Sequence, residues 1–283
     1  MILLALAMLA ADPSNLGSVL AAAKPGDTIR LVAGSYPPVS IRQRTFAPPL
    51  TVDAAAGTVA GVQIIASTGI HWFGGTIKGN TSLEIADGYG VTATVSRDIW
   101  ITNVHFSDLR NGVVFDRVDG GQIAGNWLVR MSVDGVDIAS SHGVALIGNA
   151  CSEFKPGPGA HPDCIQLWSR AGEVPTGDIK IVANSVLGSM QGISLFNHQR
   201  DGGIDDGGFD RVTITGNTVL NTLANGIAAY DCRSCSVRNN SVSSLPNFIN
   251  RAQLYISGGS VEQCGNSVPM VPRQATPSCR TGG

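Results

Sequence analysis

The feature that most constrains the fold of this chain is a short segment that recurs six times between residues 101 and 242. Each copy begins as an apolar strand and carries an asparagine two or three positions later, as in ITNVHF, LIGNAC and ITGNTV. A repeat of about 20–25 residues with short strands is typical of solenoids, whose stacked units bury one shared core. The repeated asparagines predict an internal ladder of hydrogen-bonded amides. They are Asn103, Asn126, Asn149, Asn184, Asn217 and Asn240.

A second strand follows each asparagine and sets the register between repeats. Aligning NGVVFDR, DGVDIAS, DCIQLWS, QGISLFN and NGIAAYD produces two inward apolar columns, because side chains alternate with a period of two. The columns are Val113, Val136, Ile165, Ile193 and Ile227, and Phe115, Ile138, Leu167, Leu195 and Ala229. The leucine consensus of leucine-rich repeats is missing. We therefore predict an all-β fold, a single-stranded right-handed parallel β-helix, which is one form of solenoid.

The two ends of the chain depart from the repeat. Residues 1–11 (MILLALAMLAA) are interpreted as a signal peptide, with an ordered first strand or helix as the alternative. The β-helix domain is placed at residues 12–259. It begins with a short capping helix, for which Asp12 is the expected N-cap and Pro13 lies in the first turn. Residues 260–283 are predicted to form an irregular C-terminal tail.

Composition and cysteine usage bound the partners and the compartment. The net charge is −2 with no basic run, which disfavours nucleic acid and acidic membrane surfaces as partners. No stretch is long enough to span a bilayer. Six cysteines fit an oxidising compartment, so we expect a secreted or periplasmic protein with disulfides. The candidate pairs are Cys151 with Cys164, Cys232 with Cys235, and Cys264 with Cys279; a zinc site is the alternative.

Three insertions break the repeat at residues 152–160, 169–177 and 197–210. Insertions in solenoids commonly form walls around a binding surface, so a groove is expected over Asp137, Gln166 and Ser194. Neighbouring rungs lie about 4.8 Å apart, which brings side chains from successive repeats together. The candidate catalytic residues are His161, Asp163, Asp137, His198, Arg170 and Arg200. The candidate substrate-binding residues are Gln166, Trp168, Phe196, Tyr230, Lys155 and Asp134.

Each of these residue types has a structural interpretation beside the functional one. The histidines can be structural, and Asp134 and Asp163 can cap turns. Gln166 can extend an exposed amide ladder. Trp168, Phe196 and Tyr230 are expected to form an outward aromatic stripe that stacks on sugar rings. The DGGIDDGGFD stretch at residues 201–210 can bind Ca²⁺ through carboxylate and backbone oxygens, or form a solvated loop; no other cofactor is expected.

The N-terminal LGSVLAAAKPGDTIRLVAGSY, followed by asparagine-laddered coils, resembles the pectate-lyase-like superfamily of secreted right-handed β-helix proteins. The resemblance covers residues 12–256. It implies the fold and leaves the activity open, since the superfamily includes polysaccharide lyases, uronate epimerases, polygalacturonase-type hydrolases and phage tailspikes. Asp134-Gly135-Val136-Asp137 and Asp163-Cys164-Ile165 resemble the paired-acid motifs of the hydrolases. Gln191-Gly192-Ile193 departs from them, because it stands where their Gly-His-Gly belongs, and no Arg-Ile-Lys follows.

The leading hypothesis is a secreted carbohydrate-active enzyme, a lyase that cleaves a uronic-acid polysaccharide by β-elimination. Elimination needs a base for the C5 proton, a cation at the carboxylate and an acid for the leaving oxygen. We expect His161 to be the base, oriented by Asp163, and His198 to be the acid. The candidates for the cation are Arg170, Arg200 and Lys155.

Three other functions remain as alternatives. An inverting glycoside hydrolase would use Asp134, Asp137 and Asp163, with a water held between two carboxyls roughly 6.5–9.5 Å apart. A non-catalytic carbohydrate-binding or structural β-helix would use the same surface without chemistry. A C5-epimerase would share the first step of the elimination. In each case the expected partner is a polysaccharide or oligosaccharide, acidic for the lyase.

Overall fold

The computed structural model of the chain describes residues 7–80, 82–247 and 251–279, and within these the side chains at 200 and 201 are not described. The single α-helix in this part of the chain is α1 (Leu16–Ala22). Two short 3₁₀ helices span His198–Asp201 and Pro272–Gln274. The strands are β1 (Met8–Ala11), β2 (Thr28–Leu31), β3 (Gly34–Tyr36), β4 (Val39–Arg42), β5 (Thr45–Asp53), β6 (Gly57–Val59), β7 (Val62–Ile65), β8 (Thr68–Phe73), β9 (Thr76–Lys78), β10 (Tyr89–Thr102), β11 (His105–Ser107), β12 (Asn111–Ala124), β13 (Trp127–Val129), β14 (Val136–Ala139), β15 (His142–Ile147), β16 (Ala150–Ser152), β17 (Asp163–Trp168), β18 (Lys180–Val182), β19 (Ser185–Gly188), β20 (Gln191–Leu195), β21 (Phe209–Asp210), β22 (Thr213–Thr215), β23 (Thr218–Asn221), β24 (Asn225–Arg238), β25 (Ser241–Ser244) and β26 (Gln253–Cys264).

Every strand pairs in parallel with the equivalent strand of a neighbouring repeat. A nine-stranded sheet contains β3, β6, β9, β11, β13, β16, β19, β23 and β25, and the other seventeen strands form a second sheet. Val136 lies opposite Val113 on one side and Ile165 on the other, as the aligned register predicts. All ten residues of the two inward columns are fully buried. The prediction of an all-β fold with stacked parallel strands is therefore confirmed for this part of the chain.

A ladder of buried asparagines runs along one turn of the coils. The side-chain oxygen of each member accepts the backbone N–H of the preceding coil at 2.8–3.1 Å. The ladder begins at Asn126, whose partner is the N–H of Val104, and ends at Asn266, which the repeat analysis missed. The inclusion of Asn103 is wrong by one position. Asn103 occupies a left-handed turn position with φ 56°. In the register between coils it lies opposite Gly125, and not opposite the ladder residue Asn126.

The N-terminal coil is closed by α1, which confirms the predicted capping helix. Leu16 and Leu20 are buried against the first strands. The expected N-cap is displaced, because Asn15 occupies that position while the Asp12 carboxylate accepts the backbone N–H groups of Ser14 and Asn15. β1 pairs with β2, so residues 8–11 form a strand in this structure. Residues 1–6 of the predicted signal peptide lie outside the described residues.

The C-terminal end continues the coil further than the repeat analysis placed it. β26 runs past residue 259, to Cys264, and Asn266 still joins the amide ladder. All three expected disulfides are present: Cys151–Cys164, Cys232–Cys235 and Cys264–Cys279. Within the described ranges, no helix has the length and apolar character needed to cross a bilayer.

Candidate active site

A cavity of about 470 Å³ opens over three consecutive strands, β17, β20 and β24. Seven of the predicted site residues line it: His161, Asp163, Gln166, Trp168, Phe196, His198 and Tyr230. Four further residues complete the lining: Gln191, Ser194, Asn225 and Ala228. Another cavity of about 480 Å³ lies beside α1, but its lining contains no carboxyl group, histidine or cysteine. Of these two cavities, only the one over β17 therefore carries acid–base groups of the kind predicted.

One end of the cavity is formed by the residues that connect the 152–160 insertion to β17. The Cys151–Cys164 disulfide closes the base of this loop, which fixes the position of His161 and Asp163. Gly135, on the preceding rung, passes close to the same disulfide. A Cβ at this position would lie 2.5 Å from Cys164 O and 3.0 Å from Cys151 Sγ, so the Asp-Gly-Val-Asp segment requires glycine here.

Three carboxyl groups from two neighbouring rungs cluster behind this end of the cavity. Asp134, Asp137 and Asp163 are only 6%, 5% and 1% exposed. Asp134 Oδ1 accepts the backbone N–H of Asp163 at 2.7 Å, and Asp163 Oδ1 accepts the Ser194 hydroxyl at 2.5 Å. Asn111 Nδ2 donates to Asp137 Oδ2 at 2.6 Å. Of the three carboxyl groups, only that of Asp163 reaches the cavity.

Burial and mutual repulsion favour the protonated forms in this cluster. Desolvation, followed by the charge of Asp163, raises the pKa of Asp134 to about 7. Desolvation and the neighbouring Asp134 raise the pKa of Asp137 well above its usual range. Two like charges so close together disfavour each other, so the neighbouring carboxyls are not both ionised easily. The pair therefore retains a proton at a pH where surface carboxyls are ionised.

His161 is the accessible partner of this cluster. Its side chain is 74% exposed, and its Nδ1 lies 3.8 Å from Asp163 Oδ2, a distance for an ion pair and too long for a good hydrogen bond. The interaction with the Asp163 carboxyl, against a smaller opposing effect of burial, raises the pKa of His161 to about 9. Burial raises the pKa of Asp163 itself, while His161 and Ser194 oppose this rise. The pairing with the Asp163 carboxyl thus favours the imidazolium form of His161.

The opposite end of the cavity carries a second histidine in a different setting. His198 Nδ1 lies 2.6 Å from Asp206 Oδ2, and the backbone N–H of His198 donates to the same oxygen at 2.9 Å. In the neutral ring, Nδ1 keeps the proton that it donates to Asp206, so Nε2 is the basic nitrogen. In the sequence, Asp206 is recognisable only as part of the acidic loop at residues 201–210. The signal that it pairs with His198 is absent from the sequence, because the loop between them has no repeat.

Three aromatic residues, Trp168, Phe196 and Tyr230, form one wall of the cavity. They are not equally exposed, as the predicted outward stripe would require. Trp168 is 39% exposed and Phe196 is half-buried, but Tyr230 is only 8% exposed. Tyr230 is covered because the Phe196 ring packs against it edge to face, with centroids 6.2 Å apart. Trp168 and Phe196 thus offer the ring surface on which a sugar can stack.

Amides and hydroxyls supply the polar floor of the cavity. Gln191 Oε1 accepts from Asn225 Nδ2 at 2.5 Å, and Gln191 lies opposite Asp163 in the parallel register. Gln166 lies opposite Asp137 and Ser194 in the predicted outward column. Asp137 and Ser194 in that column are nevertheless buried, which the strand alternation alone could not predict.

Two of the three predicted basic residues, Arg170 and Lys155, lie outside the cavity lining. Arg170 Nη1 binds Asp116 Oδ1 at 2.5 Å and Ser140 Oγ at 3.3 Å, so its guanidinium is held over the preceding rungs. Lys155 is exposed and lies outside the lining. The side chain of Arg200 falls outside the described part of the structure.

Three described carboxylates of the acidic loop at residues 201–210 are each hydrogen-bonded within the protein. Asp205 Oδ1 accepts the backbone N–H of Gly207, Asp206 Oδ2 binds His198, and Asp210 Oδ1 accepts from Arg233. These carboxylates are held by separate donors and do not converge. Among the described residues, no group of three histidine, cysteine, aspartate or glutamate side chains is arranged to bind a metal ion.

Comparison with known proteins places this arrangement on a known fold. No protein-family model and no curated protein sequence matches the chain. A polygalacturonase from Erwinia carotovora ssp. carotovora matches in structure with a TM-score of 0.56 and 15% identity, over 92% of this chain and 83% of that one. An alginate lyase from Paenibacillus sp. str. FPU-7 matches with a TM-score of 0.47 and 14% identity, over 92% and 99% of the two chains. A DFA-IIIase from Arthrobacter chlorophenolicus A6 matches with a TM-score of 0.39 and 12% identity, over 90% and 89%. At 15% identity, the likeness to the polygalacturonase shows a shared fold, which agrees with the predicted resemblance.

Proposed function

We propose that the chain is a carbohydrate-active enzyme that cleaves a uronic-acid polysaccharide by β-elimination in the cavity over β17, β20 and β24. One observation carries this proposal: two accessible histidines line the same cavity, and carboxylates prepare them differently. His161 is held as an imidazolium beside Asp163, while Asp206 holds the Nδ1 of His198 and leaves its Nε2 basic. One proton donor and one proton acceptor are the groups that an elimination requires.

The roles in this proposal are the reverse of those expected from the sequence. A general base must be unprotonated, and the raised pKa of His161 keeps its proton in place at neutral pH. His198 Nε2 is therefore the better base for the C5 proton, and His161 the better acid for the leaving oxygen. Asp163 supports the imidazolium and Asp206 orients the imidazole, so both carboxylates act through a histidine.

The charge that develops on the substrate carboxylate also needs stabilisation. The described lining contains no lysine or arginine, so the His161 imidazolium and the amides must provide it. Gln191 Oε1 is occupied by Asn225, which leaves the N–H groups of the Gln191 amide to donate to substrate oxygens. Trp168 and Phe196 would hold the ring by stacking, without taking part in proton transfer.

Hydrolysis is the second candidate, and the carboxyl cluster favours it. Asp134, Asp137 and Asp163 stand on neighbouring rungs with raised pKa values, and the polygalacturonase shares the fold. The inverting mechanism needs a water between two carboxyls roughly 6.5–9.5 Å apart. Asp134 and Asp137 are buried and neither lines the cavity, so of the three carboxyls only Asp163 is placed to meet a substrate there. Elimination is therefore the better-supported reaction.

The experiment that separates the candidates is incubation with alginate and polygalacturonate while following ultraviolet absorbance and reducing ends together. A rise in both indicates elimination, because the new double bond absorbs. Reducing ends alone indicate hydrolysis, and neither signal leaves a non-catalytic binding protein.

Variants then test the assigned roles. His198→Ala should lower turnover by about 10²–10⁴-fold, the usual contribution of a general base. Wild-type activity should fall as pH rises through about 9, because His161 then loses its proton. If His161→Ala is fully active while Asp134→Asn and Asp163→Asn are inactive, the carboxyl cluster performs the chemistry and elimination by the histidines is wrong.

The proposal also covers the handedness of the coil and the cellular location of the protein. We infer that the coil is a single-stranded, right-handed solenoid, because parallel crossovers are right-handed in nearly all known cases. We infer a secreted or periplasmic location, which three disulfides support because such bonds persist in oxidising compartments. Detection of the mature protein outside the cytoplasm, with its N-terminus sequenced, tests both the location and the predicted signal peptide.

A further inference from the structure

The side chain of Asn197 ties together the loop that carries His198 and Asp206. It is only 1% exposed, and all four hydrogen-bonding positions of its amide are used. The oxygen Oδ1 accepts the backbone N–H groups of Gln199 at 3.2 Å and of Asp206 at 3.1 Å. The nitrogen Nδ2 donates to Asp205 Oδ1 at 2.9 Å and to Asp231 Oδ2 at 3.1 Å.

These four bonds link the sheet to the residues that hold the His198 ring. Asp231 lies on β24, so its bond to Asn197 anchors the loop to the coil beneath it. The bond from the Asp206 backbone N–H fixes the residue whose carboxylate binds both the N–H and the Nδ1 of His198. Displacement of Asn197 would therefore move Asp206, and with it the hydrogen bond that selects the tautomer of His198.

The chemistry of the site explains why an amide stands at this position. Two carboxylates face Nδ2 and two backbone N–H groups face Oδ1, so the side chain must both donate and accept. An aspartate would repel Asp205 and Asp231, and an alanine would leave the N–H of Asp206 without this acceptor. The hydrogen bond from Asn197 is also the main cause that lowers the pKa of Asp205, which keeps that anchor ionised.

We propose that Asn197 is a positioning residue that fixes the orientation and the tautomer of His198 by holding Asp206. The part of this inference that concerns the reaction rate rests on the proposed function. The part that concerns the state of the His198 ring does not, because it can be measured without substrate.

The test compares three variants of the full chain with the wild type. Asn197→Ala removes all four bonds, and Asp205→Ala removes one of them from an exposed residue and is therefore expected to fold. Asn266→Ala is the matched control, because it removes an equally buried amide from the ladder, away from the cavity lining. Nitrogen NMR of labelled histidine reports the tautomer, with His198→Ala identifying the resonance. Turnover and KM are measured alongside on the polysaccharide that is cleaved.

The expected result is that Asn197→Ala shifts the His198 ring resonances towards a mixture of tautomers, and that Asp205→Ala shifts them partly in the same direction. Asn266→Ala should leave them unchanged. Turnover of Asn197→Ala should fall on the order of 10²-fold with little change in KM, the loss typical of a displaced catalytic group. Ring resonances that stay at their wild-type positions in both Asn197→Ala and Asp205→Ala would overturn the proposal. The same holds if Asn266→Ala shifts them equally, because the effect would then be one of general stability. If no polysaccharide is cleaved, the proposed function fails, and the resonances alone decide the role of Asn197.

Discussion

Replacing Asp134 with asparagine should stabilise the folded protein at neutral and alkaline pH. In the unfolded chain the Asp134 carboxyl ionises near 3.8, while in the folded chain its pKa is about 7. Between these values the unfolded state releases a proton that the folded state keeps, so the free energy of unfolding falls as pH rises from about 4 to about 7. Asparagine is neutral at every pH in this range, and its Oδ1 can still accept the backbone N–H of Asp163.

The magnitude follows from the shift of the Asp134 pKa. A rise from 3.8 to about 7, at about 1.4 kcal/mol per pH unit, corresponds to roughly 4 kcal/mol of stability that the wild type loses above pH 7. This is an upper value for Asp134, because Asp137 and Asp163 titrate together with it and share the protons of the cluster.

Urea denaturation at pH 4 and pH 8, with the disulfides intact, measures the effect. The Asp134→Asn variant should match the wild type near pH 4 and exceed it by up to about 4 kcal/mol at pH 8. Asp119→Asn is the control, because this carboxyl is 63% exposed beside Arg97 and should contribute little at either pH. Equal destabilisation of Asp134→Asn at both pH values would refute the claim that burial holds this carboxyl in its protonated form.

Three further outcomes test the ladder, the core and the wall of the cavity. Asn184→Leu removes the acceptor of the Asn149 backbone N–H and the donor to Leu146 O, and should cost about 1–3 kcal/mol for each orphaned group in urea denaturation; Asn103→Gly, one position out of the ladder, should cost far less. Ile165→Asp buries an unpaired charge in the inward column and should abolish folding, as monitored by circular dichroism; a folded variant would contradict the register. Trp168→Ala should raise KM with little change in turnover, since stacking holds the sugar without moving protons. A loss of turnover with unchanged KM would contradict the stacking role of Trp168.

The repeat in the sequence was sufficient to predict the stacked strands, because a fixed period converts spacing along the chain into proximity between rungs. The register that aligns Val136 with Val113 and Ile165 is the one in the structure, and seven of the predicted site residues line one cavity for the same reason. For Asn103, the repeat period alone predicts the wrong position. Its spacing fits the period, but a turn one residue longer or shorter changes which residue points inward.

Only the tertiary structure decided how the site is charged, because the insertions that surround it have no repeat. Arg170 has the sequence position of a substrate ligand, yet Asp116 on an earlier rung holds its guanidinium away from the cavity. Nothing in the sequence indicates that Asp206 pairs with His198, yet the fold of the loop brings Asp206 Oδ2 within 2.6 Å of His198 Nδ1. The protonation of His161 likewise depends on the depth at which Asp163 is buried, and burial is a property of the packed coils and not of the local sequence.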